Sequence, residues 1–139
     1  MSAKLLKSYE WGVQAEDFAV EHLVREGYAI RERRWRQGAS HFEIDIVAEL
    51  PGVLVFVEVK ARTPGAGEPR SLWSADPFAP AWAVDMRKRR MIVRTADSYI
   101  RIQPHDYTYR FDIITVVGFP EDYILSHITD AFLSPVFSR

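Results

Sequence analysis

The sequence predicts an α/β fold, a single domain in which a mixed β-sheet is flanked by helices in the order α-β-β-β-α-β-β. Three observations carry this reading. Apolar residues recur at helical spacing in two long stretches. Two alternating segments flank a Pro-Gly dipeptide, a strong turn signal. One helical stretch falls between the third and fourth strand segments, where a crossover packed on a mixed sheet is expected.

Residues Ser8 to Glu26 carry the first helical pattern, with Trp11, Ala15, Phe18 and His22 on one stripe and Ala19 and Leu23 beside it. Gly27 stands where a helix ends in a left-handed residue. Tyr28 to Arg36 reads as extended. Phe42, Ile44, Ile46 and Ala48 alternate with Glu43, Asp45, Val47 and Glu49, and after Pro51-Gly52 the run Val53 to Lys60 alternates again. Val53, Val55, Val57 and Val59 share one face there, and Leu54, Phe56, Glu58 and Lys60 the other. These two strands are expected to form a hairpin.

Thr63 to Pro80 holds four of the eight prolines with Gly65 and Gly67, and is read as a long, mobile loop. Ala81 to Ile102 is the second helix, with Val84, Lys88, Met91, Ile92, Thr95, Ala96 and Tyr99 on one side. Phe111 to Val117 and Tyr123 to Ile128 complete the strands.

Composition narrows the function classes. With 139 residues, 47% hydrophobic and 27% charged, the chain can bury a core without staples. The absence of cysteine excludes disulfides and zinc-thiolate sites and suits a reducing cytosol. The first ten residues lack a signal-peptide apolar region, and no apolar run is long enough to span a bilayer. A cytoplasmic protein without membrane contact is therefore expected. The net charge of −1 argues against indiscriminate binding to polyanions, which usually needs a basic excess.

The hairpin carries the chemistry. A turn centred on Pro51-Gly52 sets Asp45 opposite Glu58 and Glu43 opposite Lys60, all on one face. Directly opposed side chains have Cβ atoms about 4.5–5.5 Å apart, and like charges held there destabilise a sheet unless neutralised. A hard divalent cation would neutralise them, and a lysine two residues along can orient water or steady a phosphate oxygen. Metal-assisted phosphodiester hydrolysis uses such an arrangement. Taken alone, the same residues also fit a solvated strand face with a Glu43–Lys60 pair of little consequence.

The wider pattern runs through Gly12, Ala15-Glu16, Ala19, Leu23, Gly27-Tyr28, Glu43-Ile44-Asp45-Ile46-Val47-Ala48 and Val55-Phe56-Val57-Glu58-Val59-Lys60-Ala61-Arg62. It continues with Lys88, Arg110-Phe111-Asp112, His127-Ile128 and Ala131-Phe132. Together these residues resemble the YraN-like family of small bacterial proteins. That family is similar to the restriction-endonuclease-like, or PD-(D/E)xK, superfamily and to archaeal Holliday-junction resolvases. The resemblance covers nearly the whole chain. It departs at Phe42, where the family usually has glycine, and at Asp130, where it usually has asparagine.

The resemblance implies a restriction-endonuclease-like core and a metal-dependent endonuclease acting on branched or structured DNA. Asp45 and Glu58 would bind Mg2+ or Mn2+, Glu16 would complete the metal site, and Lys60 would be the motif lysine. The alternative is a non-catalytic nucleic-acid- or protein-binding module on the same scaffold. Glu16 also fits a surface helix glutamate, and Lys88 a lysine snorkelling past the core edge rather than a phosphate contact. Arg31, Arg33, Arg34 and Arg36, with Arg87 through Arg90 and Arg94, form basic clusters. Arg34, Arg36, Arg87, Lys88 and Arg90 are the candidate nucleic-acid contacts, with Trp35 available for base stacking. Such clusters also occur as solvated faces. His22 reads as a core residue with one polar partner, and no histidine shows ligand spacing. Trp73, Phe78 and Trp82 are candidates to fold over the site or to mediate self-association as a homodimer.

Overall fold

The computed structural model describes residues 2–73 and 86–131. Helix α1 (Ala3–Arg25) is followed by strands β1 (Ala29–Trp35), β2 (Ile44–Leu50) and β3 (Val53–Arg62). Helix α2 (Met86–Arg101), β4 (Thr108–Phe119) and β5 (Asp122–Ile128) complete the order. The strands form one five-stranded sheet, β1-β2-β3-β4-β5. Only β3 and β4 are parallel, in register from Val53–Thr108 to Arg62–Val117. A parallel neighbour needs a crossover, and α2 lies in that connection as the alternation of elements required.

Each face of the sheet has its own core. On one, α1 buries Trp11, Ala15, Ala19 and Leu23 against Ile46, Ala48, Val55, Val57, Ile114 and Val116. On the other, α2 buries Ile92, Val93, Ala96 and Tyr99 against Leu54, Phe56, Phe111 and Ile113. β3 is thus apolar on both faces, as expected for a central strand covered on two sides. The result is a three-layer α/β sandwich.

Several boundaries move. α1 begins at Ala3, not Ser8, because the Ser2 hydroxyl accepts the Leu5 N–H at 3.1 Å and caps the helix. Leu5 and Leu6 on that added turn are exposed, so burial periodicity could not reveal it. At its other end Tyr28 N–H bonds Leu23 O and Gly27 N–H bonds Val24 O around a left-handed Gly27, a Schellman close. β4 extends beyond the expected Phe111–Val117 at both ends. Residues 63–73 include a short 3₁₀ turn, Arg70–Leu72. The remainder of the anticipated loop, with Phe78, and the first residues of the anticipated helix, with Trp82, lie outside the described residues.

A buried polar network ties α1, β4 and β5 together. The Asp112 carboxylate, with 1% exposure, receives two bonds from Arg110 at 2.8 Å, one from the Asp130 N–H at 3.0 Å, and pairs with His127 Nε2 at 2.7 Å. His127 Nδ1 meets His22 Nε2 at 3.0 Å, and Arg110 donates to the Tyr28 hydroxyl at 2.6 Å. Asp130 adopts φ 53°, a left-handed geometry that Asn and Asp tolerate best among residues with a Cβ. Burial alone would raise the Asp112 pKa, but the bonds from His127, Arg110 and the Asp130 N–H outweigh it and hold it below the usual carboxylate range. A lowered acid pKa contributes stability above the unfolded value, lost as pH falls through the folded one. Asp112→Ala leaves Arg110 and His127 without their anion, an expected cost of about 3–5 kcal/mol in urea unfolding at pH 7. A wild-type midpoint in that variant would contradict the structural role given to the network.

Candidate functional site

The antiparallel register of β2 and β3 is the one centred on Pro51-Gly52, from Leu50–Val53 to Ile46–Val57. Gly52 has φ 75°, as a Pro-Gly turn of type II requires. The ladder stops at Ile46–Val57, one step short of Asp45 and Glu58. Beyond it the Asp45 carboxylate enters the gap, and its Oδ2 accepts the Val59 backbone N–H at 2.8 Å. Ile44 packs in the α2-side core and Ile46 in the α1-side core, so strict alternation breaks at Asp45.

This opening corrects the expected single-face alignment of Glu43, Asp45, Glu58 and Lys60. Among the described residues Glu43 and Lys60 form no ion pair, because β2 starts only at Ile44. Glu43 instead lines a cleft of about 520 Å³ with Tyr9, Glu16, Arg34, Asp45 and Val59. Glu58, buried, turns toward α2, where Lys88 Nζ stands 2.6 Å from its Oε1.

The electrostatics follow from that crowding. Burial, and then the Glu58 carboxylate, push Asp45 up to about 7, with Glu16 adding to the rise and the Val59 N–H and Lys88 opposing it. Burial, followed by the neighbouring Lys88 charge, holds Lys60 below the usual lysine value, while Glu58 and Asp45 partly offset this. Burial would also lower Lys88, but the Glu58 carboxylate outweighs it, and Lys88 is held above its usual value. Asp45, Glu58, Lys60 and Lys88 thus form one interacting group.

Glu16 adjoins this group from α1, buried on the helix stripe, and is claimed by β1. Arg33 donates to its Oε1 at 3.0 Å and Arg34 Nε at 3.2 Å. Arg34 reaches it from a left-handed backbone, φ 52°, a conformation that costs a residue with a Cβ about 1 kcal/mol or more. The two arginine contacts were not anticipated; the only signal was a run of arginines on a strand facing the helix.

The other basic residues divide. Arg36, Arg87 and Arg90 are exposed, Arg36 just beyond β1 and the other two beside Lys88 on α2. Arg31 is committed to Glu49, Gln103 and the Tyr107 hydroxyl, so it supports the fold. Trp35 is not free for base stacking, because its ring packs edge-on against Tyr99 at 5.0 Å. Trp73 is buried against Val117 and Ile124 near the far end of β4 and does not cover the carboxylates.

Asp45 in the cleft wall, interacting with the buried Glu58 behind it, offers carboxylate donors that fit Mg2+ or Mn2+. Magnesium is commonly held by one or two carboxylates and keeps several waters. Asp45, disfavoured as an anion by Glu58, is a donor that a cation would relieve. Among the described residues no three Asp, Glu or His side chains form a ready metal cage. The fit is to an open, hydrated ion, and Glu16 in its arginine contacts is not part of a closed donor set.

The sheet and its two covering helices define an α/β protein whose architecture is consistent with a restriction-endonuclease-like core. Residues 15–116 match the model of "Uncharacterised protein family UPF0102", and the chain belongs to that family. This is the YraN family anticipated from the motif residues. The chain is 43% identical to a UPF0102 protein of Bacteroides fragilis over 126 residues, covering 91% of this chain and 94% of the relative. A UPF0102 protein of Bacteroides thetaiotaomicron is 42% identical over 128 residues, 92% of this chain and 96% of that one. One from Porphyromonas gingivalis is 42% identical over 106 residues, 76% and 70%. Among the described residues no helix is long and apolar enough to cross a membrane.

Proposed function

We propose that this protein is a cytoplasmic, Mg2+- or Mn2+-dependent nuclease that hydrolyses phosphodiester bonds in DNA, with branched or structured DNA as the first substrates to test. The observation that carries the reading is the meeting of Asp45, Glu58 and Lys60 where β2 and β3 part, with Asp45 pushed up to about 7. Asp45 and Glu58 would hold the ion. When bound there, the ion supplies a more acidic water and neutralises charge growing on the phosphate oxygens. Lys60, two residues along β3 from Glu58, orients the attacking water or a phosphate oxygen. Arg36, Arg87 and Arg90, which are exposed, would touch the phosphate backbone, a contact that fixes orientation without reading sequence.

A second reading also has an observation behind it. Glu58 and Glu16 are each already neutralised from within, by Lys88 and by Arg33 and Arg34. A module that binds nucleic acid without cutting it needs no more than that. Labelled linear duplex, single-stranded, flapped and four-way DNAs, incubated with Mg2+ or Mn2+, separate the two. Cleavage by wild type, absent in Asp45→Asn, supports the nuclease. Binding without cleavage of any substrate in either metal supports the module.

A further inference from the structure

Lys88 approaches the carboxylates from α2, while Asp45, Glu58 and Lys60 all belong to the hairpin. Its ammonium lies 2.6 Å from Glu58 Oε1 and within hydrogen-bonding reach of the Lys60 amine. Lys88 therefore holds the buried Glu58 carboxylate and at the same time adjoins the Lys60 amine. Its ammonium thus stands where a cation bound to Glu58 would stand. A divalent ion entering at Glu58 would meet the Lys88 ammonium on the same carboxylate, and the two like charges repel. Lys88, the lysine paired with Glu58, must then withdraw. Lys60 projects from β3, which at that point is paired with β4 alone. The Lys88 side chain is 36% exposed, with its ammonium on a flexible four-carbon stem that can swing into solvent.

We propose that Lys88 is a resident counter-ion for Glu58, occupying the cation position in the metal-free protein and leaving it when a divalent ion binds. Once displaced, its ammonium is available to a substrate phosphate on the α2 side, beside Arg87. Metal loading and phosphate capture are thereby coupled through one side chain, with the coupling acting in both directions. This inference rests on the metal site proposed above and adds what the ion must displace to enter it.

Calorimetric titration with Ca2+ alone, a probe ion, tests it on the full chain as wild type, Lys88→Met, Lys88→Gln and Asp45→Asn. Removing the competing ammonium is expected to tighten Ca2+ binding about tenfold in both Lys88 variants, the scale of one charge-assisted hydrogen bond. A second readout uses wild type with its lysines 13C-dimethylated. The Lys88 resonance, identified by its loss in Lys88→Arg, should move toward the position of an exposed lysine on adding Ca2+. Binding in the Lys88 variants with none in wild type would also support the proposal. If wild type binds Ca2+ and both folded Lys88 variants bind it equally or more weakly, Lys88 is not a counter-ion, while the metal site stands. If no form binds the ion, both the inference and the metal site fail.

Discussion

In chelator at pH 8, Asp45→Asn is expected to melt at a higher temperature than wild type, and to lose any stabilisation by Mg2+ or Mn2+. The Asp45 carboxyl titrates at about 7 in the folded protein against a reference of 3.8. Across that window the unfolded chain releases the proton while the folded chain retains it. Wild-type stability is therefore fully present below the lower value and declines as pH rises through the upper one. Asparagine cannot ionise but can still accept the Val59 N–H. The gap between variant and wild type should open from about pH 4, level off above about pH 7, and have a ceiling on the order of 4 kcal/mol. Melting curves at pH 5, 6, 7 and 8 measure it directly. With metal the order changes, because an ion bound only to the folded wild type raises its melting temperature. A pH-independent difference, or an equal metal response in both proteins, would refute the opposition of Asp45 and Glu58.

Lys60→Ala is the second large effect. Turnover of a cleavable DNA is expected to fall about 10²–10³-fold, as when one group that stabilises the transition state is removed. Affinity measured in Ca2+ should change little, because Lys60 acts where charge develops and not on the distant phosphates. Single-turnover cleavage in Mn2+ and equilibrium binding in Ca2+ separate the two quantities. If affinity and turnover fall together by the same factor, Lys60 is a binding residue and its assigned role is wrong.

The hairpin was readable because its signals are local. Pro51-Gly52 sets the register, and that register alone brings Asp45 toward Glu58. Local alternation could not show that the ladder opens at Ile46, since strand separation depends on what packs on each face. Hence alternation alone pairs Glu43 with Lys60, while the fold leaves them without an ion pair. The first turn of α1 was missed because Leu5 and Leu6 face solvent, where apolar spacing carries no information. The arginine grip on Glu16 joins residues 17 and 18 positions apart, and the His22–His127 contact spans 105. Such contacts are created by the sheet and have no local pattern. A lysine on an apolar helix stripe is out of place, and the buried Glu58 that it pairs with explains Lys88 there.

The mixed topology also bears on the chronology of folding. Asp45 and Glu58 belong to a hairpin closed by the Pro51-Gly52 turn, whereas the parallel seam must bring residue 53 to residue 108. Hairpins form in about 1–10 μs, while distant pairings wait on the slower closure of long loops. The two carboxylates are therefore expected to confront each other while the seam is still open and before α2 has delivered Lys88. Their repulsion opposes an early contact as well as the finished sheet, and the nascent hairpin must hold together without the cation that the completed fold supplies.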